Sequence, residues 1–132
     1  MRLTSSTDYA FRIMIFAGRM KNNRVTTQKL SESLGVTQAN VNKIVNILKH
    51  KGYLDVQRGR YGGGIILNEK TKNIPIGKLI VDLEPDMAFV QCMSHEKNTC
   101  PLTRNCTLAG LFGEGLHAFV EAMNQKTLGE VI

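Results

Sequence analysis

No stretch of the 132-residue chain approaches the roughly 18 consecutive apolar residues that a membrane-spanning helix requires, so no membrane partner is expected. The opening Met1 to Lys21 carries charge at either end of an apolar middle, but Asp8 and Arg12 interrupt it and no small-residue cleavage site follows. It reads as a mature helix, not a secretory signal. Cysteine is scarce and odd in number, with three residues and none outside Cys92 to Cys106. An unpaired count with no distant partner argues against a disulfide framework and predicts a reducing, cytoplasmic setting. Internal repeats and low-complexity tracts are missing. So is any constellation of general bases around a substrate pocket, and neither an enzyme nor an electron carrier is expected. Acidic residues are also in deficit, 11 against 17 Lys and Arg, for a net charge of +6.

That excess is uneven. Lys43, Lys49, Lys51, Arg58 and Arg60 fall in one short stretch against the single acid Asp55. Clustered cations recruit phosphates through Coulomb attraction and counterion release, whereas a solvated helix face has the same composition; the order of elements decides between them. Residues 26–54 predict a helix from about Gln28 to Leu34, a turn at Gly35 and a second helix from about Gln38 to His50 capped by Thr37. Leu30, Leu34, Val36, Val41, Ile44, Val45 and Leu48 take the inward positions. Thr37, Gln38, Asn40, Asn42 and Lys43 then project from the start of the second helix as short or amide-bearing groups able to reach base edges and phosphates. Two short strands follow, Tyr53 to Gln57 and Ile65 to Leu67, joined by the glycine-rich loop Arg58 to Gly64. Helix-turn-helix plus basic hairpin makes a winged helix. The loop's glycines allow close approach to a narrow groove, and Arg58 and Arg60, with Tyr61 beside them, are placed to meet it. A phosphate-cradling nucleotide loop is disfavoured, because no Gly-Lys-Ser or Gly-Lys-Thr ending is present and no helix follows.

Upstream, a first helix capped by Ser6 or Thr7 is expected to run to about Met20. Tyr9, Ala10, Ile13, Met14, Ile15, Phe16 and Ala17 make it apolar nearly all round, so it needs cover on more than one side. Downstream, Lys70 to Asn73 is a link, and Ile74, Ile76, Leu79, Ile80 and Leu83 predict a short helix stopped by Pro85. Leu108, Leu111, Phe112, Leu116, Phe119, Val120 and Met123 recur at three and four residues, predicting an amphipathic helix of roughly 18 residues, about 27 Å long. Its stripe serves either the chain's own core or, as favoured here, a dimer. The expected fold is mainly α, a winged helix-turn-helix domain over 1–84, a cysteine-rich loop over 85–106, and a dimerisation helix and tail over 107–132.

The loop holds Cys92, Cys100 and Cys106 with the spacing Cys-x7-Cys-x5-Cys, among His95, Glu96, Lys97, Asn98 and Arg104. Free cysteine is usually a small buried hydrophobe, and this segment is too polar for that. Three thiols on one short loop suit an iron-sulfur cluster or zinc. The spacing Cys92-x2-His95-x4-Cys100-x5-Cys106 would also satisfy a tetrahedral Cys3His zinc site, with His95 as the fourth ligand.

Four segments in order, Met1 to Arg12, the wing Arg58 to Gly64, Ile76 to Pro85 and Cys100 to Ala109, resemble the iron-sulfur winged-helix repressors of bacteria, and among them the nitric-oxide-sensing branch. The resemblance spans essentially the whole chain. It implies a homodimer reading a palindromic operator in double-stranded DNA, with a cluster held by Cys92, Cys100 and Cys106 of one subunit and by Asp8 of the partner subunit. It also implies that nitric oxide is the signal and that reaction or loss of the labile cluster releases the operator. A cap for its own helix is the other reading of Asp8. Relatives that regulate cluster assembly place a histidine three residues after the last cysteine, for a 2Fe-2S cluster. Ala109 stands there, which favours 4Fe-4S. The gap between Cys92 and Cys100 is longer than usual among these relatives, and the alternative is a DNA-binding regulator with a zinc or thiol-redox site.

Overall fold

The structure, a computed structural model, describes residues 1–20, 24–59 and 63–132. It is mainly helical, with one two-stranded sheet among the described residues. Helix α1 spans Ser5–Arg19 and starts two or three residues earlier than the sequence suggests. Its cap is Thr4, whose hydroxyl accepts from the Thr7 amide at 3.3 Å. Neither Ser6 nor Thr7 caps it, because Thr7 is fully buried while the Thr4 amide and hydroxyl also meet the Glu84 carboxylate at 3.1 to 3.2 Å. Cover on several sides is indeed what α1 receives. Ala10, Ile13, Met14 and Ala17 are buried, and Tyr9, Phe11, Ile15 and Phe16 pack against the same core.

Helix α2 (Thr27–Leu34) begins at the Thr26 cap and stops at Gly35, whose φ of 63° is the left-handed conformation that glycine adopts without steric cost. Helix α3 (Gln38–His50) has the bounds and the Thr37 cap that its sequence predicts. Of the expected inward side chains, Leu30, Val36, Val41, Ile44, Val45 and Leu48 are buried and Leu34 is half-buried. The end of α3 is a Schellman motif: the Gly52 amide donates to the Lys49 carbonyl, the Tyr53 amide donates to Leu48, and Gly52 sits at φ 78°. This motif turns the chain into β1 (Leu54–Gln57), one residue later than expected. Antiparallel β2 (Gly64–Leu67) pairs with it, Leu54 opposite Leu67 and Gln57 opposite Gly64. Val25 adds a bridge to Ile65 through hydrogen bonds of 2.8 and 3.0 Å.

The stretch read as a link is a 3-10 turn, Glu69–Asn73, capped by Asn68. Helix α4 (Ile76–Leu83) follows Pro75 and lies against α1 and α5. Proline offers no capping side chain, so the vacant role at the start of α4 passes to Asn124, whose Oδ1 accepts from the Lys78 amide at 3.1 Å. Gly77 permits this approach, since a Cβ there would strike the Val120 carbonyl and the Asn124 side chain.

Helix α5 (Thr107–Met123) leads to a further short helix, α6 (Leu128–Val131), where the sequence reading placed only a tail. Four residues are too few for a periodicity signal, but Thr127 and Glu130 form a capping box and Leu128 is fully buried. Backbone bonds from Leu128 to Ile74 and from Ile76 to Lys126 fix α6 beside the start of α4. The apolar stripe of α5 divides between the two roles considered for it. Phe119 and Met123 pack on the core, whereas Leu108 and Leu111 remain 54% and 62% exposed.

Candidate nucleic-acid interface and cysteine centre

Thr37, Gln38, Asn40, Asn42 and Lys43 are all exposed on α3, because the intervening Val41, Ile44 and Val45 are drawn into the core. Burial of one face of a 3.6-residue repeat turns the opposite face outward. The Thr37 hydroxyl accepts from the Asn40 amide at 3.3 Å and so fixes the start of the helix, while Gln38 Nε2 donates to Asn42 Oδ1 at 3.0 Å. Asn42 still has its amide donors and Gln38 its carbonyl for another partner. Asn46, one turn beyond Asn42, is also exposed and was not singled out from the sequence; its i+4 spacing from Asn42 was the available signal.

Arg58 is exposed at the end of β1, whereas Arg60 and Tyr61 lie outside the described residues. At the base of the wing, Gly64 serves internal packing, because a Cβ there would lie 2.8 Å from Arg24 Cβ and 3.2 Å from the Val25 carbonyl. The Val25 bridge to β2 therefore depends on that glycine.

The three cysteines are free and half-buried. Cys92 sits in the 3-10 turn Gln91–Met93, which packs against α5, and Cys106 is the residue immediately before the first turn of α5. Cys100 lies between them in a turn organised by Asn98 and Thr103: its amide donates to Asn98 Oδ1 at 3.0 Å and its carbonyl accepts from the Thr103 hydroxyl at 2.9 Å. His95 is exposed on the same segment. Among the described residues, no three His, Cys, Asp or Glu side chains are gathered tightly enough to hold a metal ion. Cys92 and Cys106 are thus tied to α5 and Cys100 to the turn between them, and with His95 they do not gather into one set among the described residues. As donors they fit a soft metal. Thiolate is the ligand that iron-sulfur clusters and zinc prefer.

Asp8 is not a helix cap. It occupies the first turn of α1 with its carboxylate gripped by Arg12 of the same helix, at 3.1 Å to Nε and 2.6 Å to Nη2. The side chain is 46% exposed. It is therefore turned away from the core of its own chain.

The family described as "Rrf2: Iron-dependent Transcriptional regulator" matches residues 3–132. The chain belongs to the Rrf2 family. It is 34% identical to the HTH-type transcriptional regulator NsrR of Bacillus licheniformis, over 100% of this chain and 92% of that protein. Identity to the NsrR of Geobacillus kaustophilus is 32%, over 100% and 90%. Among solved structures, IscR of T. potens superposes with a TM-score of 0.76 at 17% identity, covering 99% of this chain and 85% of that one. CymR, described as the global cysteine regulator of B. subtilis, does so with a TM-score of 0.72 at 20% identity, covering 99% and 95%. The winged helix-turn-helix is thus the fold of an Rrf2 transcriptional regulator. No helix among its described residues is long and apolar enough to cross a membrane.

Proposed function

We propose that this Rrf2 regulator is a cytoplasmic, homodimeric DNA-binding repressor that senses nitric oxide through a labile iron-sulfur cluster and leaves its operator when the cluster reacts or is lost. The observation that carries the reading is the pairing of two features in one chain. An outward row of amides and cations on α3 adjoins a wing, and three free thiols sit on a polar segment attached to an α5 whose Leu108 and Leu111 lack cover.

Thr37, Gln38, Asn40, Asn42 and Lys43 would read the major groove, with Arg58, Arg60 and Tyr61 on the adjacent minor groove or backbone. A two-fold dimer through α5 would present two such heads to a palindrome. Cys92, Cys100 and Cys106 would hold a cluster, 4Fe-4S in preference to 2Fe-2S because Ala109 offers no histidine, with Asp8 of the partner subunit as the fourth ligand. When bound, such a cluster supplies an iron site open to small diatomic ligands. To ligate it, Asp8 would give up part of its two-oxygen contact with Arg12. Since both side chains are near half exposed, the pair resembles surface ion pairs worth about 0 to 1 kcal/mol, a small cost for such a change of partner. Residues 1–84, 85–106 and 107–132 would act as reading head, sensor and dimer arm.

The test is anaerobic purification with iron, sulfide and zinc analysis, followed by operator binding at one salt concentration before and after nitric oxide. Iron with matching sulfide and an affinity that falls on nitrosylation support the reading. Stoichiometric zinc without iron would favour the Cys3His alternative with His95, and equal affinity for loaded, nitrosylated and cluster-free protein would reject cluster control.

A further inference from the structure

Helix α4 is the last helix of the reading head before the cysteine segment, and both of its ends are tied. At its start, Asn124 at the end of α5 caps it and Gly77 lets the two backbones meet. At its end, Asp82 Oδ2 takes two bonds from the far end of the reading helix: Lys51 Nζ at 3.0 Å and the Tyr53 hydroxyl at 2.7 Å. Lys51 and Tyr53 flank the Gly52 turn of the Schellman motif, so they mark the point where α3 passes into β1. The Tyr53 carbonyl in turn accepts from the Asn68 amide and the Thr71 hydroxyl at the far side of the wing. One carboxylate thereby holds the junction of reading helix and wing to the helix that feeds the cysteine segment.

We propose that Asp82 is a positioning residue for operator binding, transmitting the state of the cysteine segment through α4 to the α3–wing junction. The inference rests on the cluster-controlled repressor reading above. Burial and the Asp82 contact raise the Tyr53 phenol to about 12, and the Tyr53 hydrogen bond, together with Lys51, lowers the Asp82 carboxyl. The donor stays protonated and the acceptor charged throughout the neutral range, so the link depends on the placement of α4 and not on pH. A displacement of the last turn of α4, where the chain leaves for Cys92, must either drag Lys51 and Tyr53 or break their bonds. Because α3 and the wing meet the duplex together, a small rotation at their junction misplaces one relative to the other.

The decisive quantity is the ratio of operator affinities of cluster-loaded and cluster-free dimer, measured by fluorescence anisotropy at fixed salt for wild type, Asp82→Ala, Asp82→Asn and Tyr53→Phe. Visible absorption and melting temperature are recorded on the same samples. Asp82→Ala is expected to keep the cluster absorption and the affinity of the cluster-free form while its ratio falls about fivefold or more, the lower end of usual allosteric couplings. Asp82→Asn and Tyr53→Phe, which each remove part of the link, should fall between, and they serve in its place if Asp82→Ala does not fold. A ratio within about twofold of wild type in the variants, or an equal loss in both forms, overturns the role of Asp82 and leaves cluster control intact. A wild-type ratio of one overturns both.

Discussion

Residues 10–80 and residues 81–127 are built on different terms. Every fully buried apolar side chain among the described residues lies between Ala10 and Ile80, with Leu128 returning to join them; from Val81 to Thr127 no residue is buried at all. The first region contains its own reason to fold, since α1, α2, α3, the wing and α4 cover one another. The second has half-buried thiols, a polar segment and a 17-residue helix that gives only Phe119 and Met123 to the common core. The described part of the winged helix buries its own apolar side chains, whereas the cysteine segment and the near end of α5 bury none within this chain. A second subunit and a bound cluster are the two suppliers of cover proposed here.

Four experiments would break or sharpen that contrast. The largest effect is expected inside the finished core. Leu48 is fully buried beneath the reading helix, so Leu48→Ala should cost about 2 to 5 kcal/mol through lost burial and the cavity left behind. A denaturant titration that moved by less than about 1 kcal/mol would deny the self-sufficient head. Next comes the open end of α5. Leu111→Asp, at a position already 62% exposed, should leave chemical stability of the head nearly unchanged yet weaken association by a hundredfold or more, about 3 kcal/mol, in sedimentation experiments. A variant as dimeric as wild type would remove α5 from the interface.

Third, Gln38→Ala and Asn40→Ala change exposed side chains and should leave melting intact. Their operator preference should shift by roughly 1 to 3 kcal/mol for each lost base contact, read by competition between operator variants. Uniform weakening on all sequences would assign them to the phosphates instead. The smallest effect is alkaline. The Tyr53 hydroxyl is raised from 10.0 to about 12 by burial and by Asp82, so the folded state holds a proton that the unfolded chain releases. Its contribution is fully present below pH 10 and is lost as pH rises toward about 12. Wild type should therefore lose melting temperature faster than Tyr53→Phe across that window, and only modestly, because Tyr53 is only half-buried and solvent screens its bond to Asp82. Parallel curves would show that the bond to Asp82 adds no stability.

How much was legible follows the same division. The winged helix could be read because its signals are local: a threonine before each of α2 and α3, Gly35 at the turn between them, and apolar residues at helical spacing. The cap of α1 was misplaced because Thr4, Ser5, Ser6 and Thr7 are chemically alike in sequence, and only Glu84, eighty residues away, selects Thr4. Helix α6 is not legible because its stability lies in pairing with the start of α4, and the packing role of Gly64 is not legible because its crowding neighbours are Arg24 and Val25.

Sequence by itself determined which residues face inward in α2 and α3, the outward row from Thr37 to Lys43, the confinement of all three thiols to one polar segment and the resemblance to iron-sulfur winged-helix repressors. These depend on spacing along the chain and on side-chain chemistry, which folding leaves unaltered. The tertiary structure alone decided that Asp8 is clasped by Arg12 and does not cap α1, that the stripe of α5 is covered at one end and open at the other, and that Asp82 joins α4 to Lys51 and Tyr53. Each of those is a choice among partners distant in sequence or equivalent in type. Only three-dimensional proximity, which sets whether a charge finds a donor and whether an apolar face finds cover, makes that choice.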